Sequence, residues 1–179
     1  MKITIIGHCG SGKSTLAKAI SKTAQIPYLE LDRLFFAHGG AQAYTPEEKQ
    51  SVKANIKEST TTFLAENQKW VSDGVYLTSV QPTLAAAADT IILIDIPLHI
   101  RMINHLKRWW QNVDRHPEIS RFQDLLFTFD MVRRTRSSQP KLEQIAATYP
   151  DKLLLLKSHK EIRSYLEQLS ISCRSEDCT

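Results

Sequence analysis

The chain has 179 residues, a formal net charge of +4 and three cysteines, and 42% of its residues are hydrophobic. This composition is typical of a globular domain, and it excludes a disordered chain or a small disulfide-stabilised scaffold. No stretch approaches the roughly 18–20 continuous apolar residues of a membrane span. We therefore expect one domain over residues 1–179, in the cytoplasm and without a membrane partner.

The first predicted strand, residues 3–6, leads directly into a glycine-rich loop. Residues 7–15 read GHCGSGKST, which is the complete phosphate-binding P-loop pattern. Apolar residues recur at helical spacing over residues 13–22, so the loop lies between a strand and a helix, as the pattern requires. The sequence therefore predicts that the chain binds a nucleoside triphosphate.

The residue types of this loop match the chemistry of a triphosphate. Glycines let backbone amides converge on phosphate oxygens, and the following helix contributes the positive end of its dipole. We expect the Lys13 ammonium on the β- and γ-phosphates of ATP, and the Ser14 hydroxyl as a ligand of Mg²⁺. The predicted nucleotide-binding residues of the loop are Gly7, Gly10, Ser11, Gly12, Lys13, Ser14 and Thr15.

Strand and helix patterns alternate along the rest of the chain. The strands are predicted at residues 3–6, 27–31, 69–72, 90–94 and 153–156, and the helices at 13–22, 46–67, 97–110, 120–136, 139–149 and after 158. Strands that alternate with helices predict an α/β fold in three layers, with a five-stranded parallel sheet between helices.

Carboxylates follow three of these strands. Because the carboxyl ends of parallel strands meet at one edge of the sheet, we expect Asp32, Asp73 and Asp95 near the P-loop. Either Asp73 or Asp95 could hold Mg²⁺, and the longer apolar run before Asp95 favours the latter. Asp32 could orient a phosphoryl acceptor. The alternative for each is that it caps the following helix or loop.

Arginines are concentrated in the second half of the chain. Arg108 and the run at residues 133–136 flank a polar, basic segment, and we interpret residues 111–135 as a lid. Guanidinium groups bind phosphate oxygens well. We therefore expect Arg108 and Arg134 to act in catalysis, and Arg108 also to contact the nucleotide. A solvated charged surface is the alternative for most of these arginines.

A family resemblance is carried by four segments, MKITIIGHCGSGKSTLAKAIS, IPYLELDRLFF, WVSDGVY and TIILIDIPLHIRMINHLKRWW. They are similar to the P-loop kinases of the adenylate-kinase group and, within it, to the small family labelled DNA topology modulation proteins. The resemblance implies a nucleotide-kinase-like P-loop NTPase fold with a five-stranded parallel sheet and a small lid. It also implies ATP and Mg²⁺ as cofactors.

The resemblance implies roles for single residues as well. Asp73 is similar to the aspartate that supports magnesium in adenylate kinases, which favours Asp73 over Asp95. Asp32 matches the acceptor-side position of related small-molecule kinases, and Lys157 resembles the loop beside the adenine.

Two departures from the adenylate-kinase pattern concern arginines. Asn104 stands where such kinases carry an arginine on the lid helix, with Arg101 one turn earlier as a candidate substitute. Residues 74–77 replace the segment whose arginine holds the phosphate of a nucleoside monophosphate. The acceptor is therefore left open.

The favoured function is a kinase that transfers the γ-phosphoryl group of ATP to a small acceptor, such as a nucleotide or nucleoside. Lys13, Asp32, Arg108 and Arg134 are its predicted catalytic residues, and Ser14 and Asp73 its predicted magnesium residues. The alternative is a nucleotide-dependent regulatory or nucleic-acid-binding NTPase that affects DNA topology. The net charge of +4 supports this alternative, but no nucleic-acid recognition motif accompanies it.

Overall fold

The computed structural model describes residues 1–39, 45–74, 80–111 and 121–176. The strands are β1 (Lys2–Gly7), β2 (Tyr28–Glu30), β3 (Trp70–Asp73), β4 (Thr90–Ile94) and β5 (Leu153–Leu156). The helices are α1 (Lys13–Ala24), α2 (Leu31–Ala37), α3 (Pro46–Glu66), α4 (Gln81–Ala87), α5 (Leu98–Gln111), α6 (Arg121–Thr148) and α7 (His159–Glu176). A short 3₁₀ helix, Pro150–Lys152, precedes β5.

The five strands form one parallel sheet in the order β2-β3-β1-β4-β5. β1 is therefore central, and its carboxyl end lies between those of β3 and β4. In the register of the sheet, Ile5 pairs with Asp73 and Gly7 pairs with Ile94. The P-loop and Asp73 are brought to the same edge by this pairing.

Side chains of β1 alternate between two apolar layers, because successive residues of a strand point to opposite faces. Ile3 and Ile5 lie in one core cluster with Leu16 and Ile20 of α1 and with partly buried residues of α7. Ile6 belongs to the other cluster, to which α3, α4 and α6 contribute. The predicted three-layer α/β fold with a parallel sheet is confirmed.

Two short helices, α2 and α4, were not predicted from the sequence. The expected second strand ends at Glu30, and Asp32 lies in the first turn of α2, so the prediction that Asp32 closes a strand is wrong. The cause is tertiary, since Leu31 is fully buried and packs against the backbone of Gly74, where an added Cβ would lie 2.5 Å from the Leu31 Cβ.

One long helix, α6, replaces the two that the sequence predicts at residues 120–136 and 139–149. Pro140 lies inside α6 although a proline in a helix interior costs about 3 kcal/mol. Contacts on both sides of the proline offset this cost. Leu142 and Ile145 are buried in the core, and side chains before Pro140 are hydrogen-bonded to the P-loop region, as described below.

The predicted starts of the helices at residue 46 and after residue 158 are confirmed. Thr45 and Glu48 form a reciprocal capping box. Glu161 accepts from the Lys157 backbone and the Ser158 hydroxyl, and these hydrogen bonds lower the pKa of Glu161. No helix in the described part of the chain is long and apolar enough to cross a membrane.

Candidate nucleotide-binding site

The P-loop takes a backbone conformation that needs glycine. Gly7 has φ +146°, and a Cβ there would lie only 2.5 Å from the carbonyl oxygen of Ile94 on β4. Gly12, which precedes α1, has φ +91°, in the left-handed region that a side chain strongly disfavours. These positions let the loop turn closely around the carboxyl end of β1.

The polar groups of the loop fit an anion. α1 has no side-chain N-cap and no acidic residue in its first turn, so no side chain of the helix itself neutralises the positive end of its dipole. The Ser11 hydroxyl is fully buried, and it has no hydrogen-bond partner among the described residues. Lys13 is also buried, and its Nζ donates to the His8 carbonyl oxygen at 2.9 Å. An anion with several oxygens, such as a phosphate chain, would satisfy these donors.

A buried carboxylate lies beside the loop. Asp73, at the end of β3, is 2% exposed, and its Oδ2 accepts from the Ser14 hydroxyl at 2.5 Å. Its Oδ1 accepts from the Tyr28 hydroxyl, also at 2.5 Å. Burial and the neighbouring Asp73 raise the pKa of Tyr28 far above its ordinary value, so the phenol stays protonated as a donor. We call Ser14, Asp73 and Tyr28 the carboxylate network.

Magnesium fits this arrangement. A hydroxyl and a carboxylate supply the oxygen ligands that Mg²⁺ prefers, and the ion ordinarily completes its octahedral shell with substrate phosphates and water. Among the described residues no three His, Cys, Asp or Glu side chains form a cluster that could hold a metal by themselves. Ser14 and Asp73 would therefore hold the ion together with a bound triphosphate.

Three other predicted residues lie near the same sheet edge. Asp32 is half-buried in the first turn of α2, just after the Glu30 that pairs with Asp73 in the sheet. Asp95 follows β4 and its side chain is exposed, while its backbone N–H donates to the Leu156 carbonyl at 2.9 Å. Lys157 follows β5 and is exposed.

The predicted lid is only partly described. Arg108 lies on α5 and Arg134 on α6, but both side chains lie outside the described residues. Residues 112–120 of the lid and residues 75–77 after Gly74 lie outside them as well. Thr15, the last residue of the P-loop pattern, is exposed in the first turn of α1.

His8 joins the P-loop to α6, a contact that the sequence did not indicate. Its ring is buried, with Nδ1 2.9 Å from the Ser138 Oγ and Nε2 2.7 Å from the Gln139 Oε1. Burial is the main cause that lowers the pKa of His8, and the positive charges of Arg101 and Lys13 act in the same direction, while the Gln139 hydrogen bond opposes it. No sequence pattern could have found this contact, because its partners are 130 and 131 residues away.

Arg101 and Asn104 fasten α5 to the same region. Arg101 is 3% exposed, and its guanidinium donates to the Ile96 carbonyl at 2.9 Å and to the Thr135 hydroxyl of α6 at 3.0 Å. Asn104 donates through Nδ2 to the Gly10 carbonyl at 3.2 Å. We call the following set the anchor network: His8, Arg101, Asn104, Thr135, Ser138 and Gln139.

Sheet order, P-loop and flanking helices together define the fold of a P-loop kinase. The structure is similar to shikimate kinase from Bacteroides thetaiotaomicron, with a TM-score of 0.61 and 12% identity over 97% of this chain and 98% of that one. It is equally similar to shikimate kinase from Acinetobacter baumannii in complex with shikimate, with a TM-score of 0.61 and 11% identity over 99% and 95% of the two chains.

A short sequence match points to the same group of proteins. Over 31 residues, or 17% of its length, the chain is 55% identical to shikimate kinase from Flavobacterium johnsoniae. The match spans only 18% of that relative. No family model matches the chain. The comparisons therefore establish a P-loop kinase fold, and the resemblance to DNA topology modulation proteins stays a prediction.

Proposed function

We propose that this protein is an ATP-dependent kinase that transfers the γ-phosphoryl group of ATP to a small acceptor. The observation that carries the proposal is the 2.5 Å hydrogen bond between Ser14 of the P-loop and Asp73 at the end of the neighbouring strand. In a P-loop kinase fold, this pair stands beside the phosphate donors as a ready magnesium site. A P-loop that served only as a structural turn would not need a buried carboxylate there.

The donor half of the reaction follows from the loop. Backbone N–H groups of the loop and of the first turn of α1 bind the phosphate oxygens. Lys13 exchanges its bond to the His8 carbonyl for the β- and γ-phosphates, where its charge counters that of the transferred group. Ser14 and Asp73 would hold Mg²⁺, and the chemistry that this ion supplies when bound is charge neutralisation on the same phosphates.

Residues near the carboxyl edge of the sheet and on α5 and α6 are proposed to serve the acceptor half of the reaction. Asp32, half-buried at the same sheet edge, is proposed to orient the acceptor hydroxyl, and Arg108 and Arg134 to stabilise the charge on the transferred group. Lys157 is proposed to lie beside the adenine. Residues 111–135 would close over the substrates as the lid of a single domain and exclude water, which favours transfer over hydrolysis.

The proposed classes of acceptor come from two likenesses. Nucleotides and nucleosides follow from the resemblance to adenylate-kinase-related proteins. The structural likeness to shikimate kinases, one of them in complex with shikimate, adds small hydroxylated carboxylic acids to the proposed acceptors. All of these acceptors offer a hydroxyl or phosphate oxygen as nucleophile, so one panel can test them together.

The proposal is tested by ADP release from ATP in the presence of each acceptor of the panel. One acceptor is expected to raise turnover roughly 10-fold or more above the basal rate, since closure and positioning depend on the acceptor. Lys13→Ala should abolish both this increase and the thermal stabilisation by ATP. Lys22→Ala, at an exposed position in the last turn of α1, is the matched control and should retain both.

Two outcomes would contradict the proposal. If no acceptor raises turnover, the chain is an NTP-binding protein of another kind, and salt-dependent binding to duplex DNA would then support the nucleic-acid alternative. If Lys13→Ala keeps the stabilisation by ATP, the donor site lies elsewhere.

A further inference from the structure

Tyr28 is the member of the carboxylate network that neither the P-loop pattern nor the family resemblance assigns. It lies on the edge strand β2, in register with Val71 of β3, and its ring packs partly against the core. From there its hydroxyl reaches Oδ1 of Asp73 at the end of β3. A phenyl ring would pack equally well without this contact, so packing alone does not explain why the residue carries a hydroxyl.

The contact fixes the orientation of Asp73. One carboxylate oxygen is held by the Tyr28 hydroxyl and the other by the Ser14 hydroxyl, each at 2.5 Å. A carboxyl group with a donor on each oxygen cannot rotate about its χ2 angle without breaking a charge-assisted hydrogen bond. Oδ2 is therefore held toward Ser14 and the P-loop before any ligand arrives.

We propose that Tyr28 is a positioning residue for the magnesium site of the proposed kinase. It acts through Asp73: by holding Oδ1, it keeps Oδ2 and the Ser14 hydroxyl in the orientation in which they bind the ion of a magnesium–ATP complex. The inference rests on the proposed function, because it concerns the metal half of the same site. Its consequence is a Mg²⁺ affinity that depends on the hydroxyl of a residue that does not touch the ion.

A different result is expected if the Tyr28 hydroxyl has a merely structural role. If the hydroxyl only satisfied a buried carboxylate, its loss would lower stability and leave the linkage between Mg²⁺ and ATP unchanged. The linkage is therefore the quantity to measure. Titration calorimetry measures this linkage directly. The ATP affinity is determined at a series of Mg²⁺ concentrations and is compared with the ATP affinity in EDTA.

Tyr28→Phe is expected to raise the Mg²⁺ concentration for half-maximal tightening of ATP binding roughly 10-fold, the size usual for partners of metal ligands. ATP affinity in EDTA should stay as in the wild type. Tyr165→Phe is the matched control, because Tyr165 packs partly against the same core cluster on α7, and it should leave both quantities unchanged. An unchanged or tighter Mg²⁺ response in Tyr28→Phe overturns the inference.

A double-mutant cycle tests whether Tyr28 acts through Asp73. In an Asp73→Asn background, Tyr28→Phe should have no further effect on the Mg²⁺ response, whereas an equal effect in both backgrounds contradicts the inference. If Tyr28→Phe fails to fold, 4-fluorophenylalanine at position 28 fills the volume of the hydroxyl without donating. It should show the same weakening, and 4-aminophenylalanine, which keeps a donor, should restore the wild-type response.

Failure of the inference can be told from failure of the proposed function. If the wild-type protein binds ATP no more tightly with Mg²⁺ than in EDTA, the magnesium site itself is wrong. If the wild type shows the linkage and Tyr28→Phe matches it, only the role of Tyr28 is wrong.

Discussion

Two hydrogen-bond networks meet at the P-loop, and they differ in what their polar atoms face. In the carboxylate network, Ser14 and Tyr28 converge on Asp73, at a strand end where a cation and a triphosphate fit. In the anchor network, His8 contacts side chains of α6, and Asn104 of α5 holds the Gly10 carbonyl. The first network is the proposed magnesium site, and the second joins the loop to two helices.

The difference shows that the geometry of the loop depends on more than its own glycines. α5 and α6 carry Arg108, Arg134 and part of the predicted lid. Because α6 is hydrogen-bonded to His8 and α5 to Gly10, a displacement of either helix would shift the P-loop. Changes in the carboxylate network should therefore alter ligand binding with little effect on stability, and changes in the anchor network should mainly alter stability.

Among the substitutions that compare the two networks, the largest effect is expected for Asp73→Asn. Loss of the carboxylate charge should lower magnesium-dependent turnover roughly 10- to 100-fold. The unfolding free energy in urea should change by less than about 1 kcal/mol, because the amide keeps the shape and one acceptor oxygen. Asp95→Asn, at the exposed carboxylate of the next strand, is the matched control. A larger loss of turnover in Asp95→Asn would move the magnesium role to that residue.

Arg101→Met tests the anchor network. The methionine keeps much of the apolar stem but leaves the Ile96 carbonyl and the Thr135 hydroxyl without their buried donor. We expect the free energy of unfolding in urea to fall by about 2 kcal/mol. Magnesium–ATP affinity should change by less than about threefold, or under 1 kcal/mol.

Arg163→Met, at an exposed position of α7, is the control for that substitution and should cost less than about 0.5 kcal/mol. A loss of ATP binding in Arg101→Met without a loss of stability would mean that Arg101 serves as a phosphate ligand, in place of the lid arginine that adenylate kinases are expected to carry at the position of Asn104.

His8→Gln should give the smallest effect, about 1 kcal/mol at neutral pH, together with a change in pH dependence. The folded-state pKa of His8 is lowered from 6.5, so below pH 6.5 the unfolded state binds more protons than the folded state. Wild-type stability should therefore fall as the pH drops from 6.5 toward the folded-state pKa. Urea unfolding at a series of pH values should show a shallower fall in His8→Gln. His99→Gln, at an exposed position, should keep the wild-type slope.

Much of the fold could be predicted because its signals are local. The strand at residues 3–6, the P-loop and the capping box at Thr45 each contain, within a few residues, the pattern that determines them. α2 and α4 could not be predicted in this way. Leu31 becomes helical where it packs against Gly74, and Leu84 is buried against residues far along the chain. The continuity of α6 through Pro140 likewise depends on tertiary contacts that offset the cost of the proline.

The candidate site, like the fold, has one part that local sequence predicted and another that tertiary contacts determine. The sequence by itself determined the phosphate loop, because a P-loop is built from the backbone and side chains of nine consecutive residues, Gly7 to Thr15. It also placed Asp73 at a strand end, but the pattern alone favoured Asp95 as the magnesium residue, and only the family resemblance favoured Asp73. The structure separates them, since Asp73 is buried and bonded to Ser14 whereas Asp95 is exposed.

Only the tertiary structure decided the partners of these residues. Tyr28 meets Asp73 across 45 residues, and His8 meets Ser138 across 130. Such contacts are set by the order of strands in the sheet and by the helices packed on it, and a short sequence pattern carries no information on either. The chain thus encodes its P-loop locally, while the orientation of Asp73 and the attachment of α5 and α6 arise from packing.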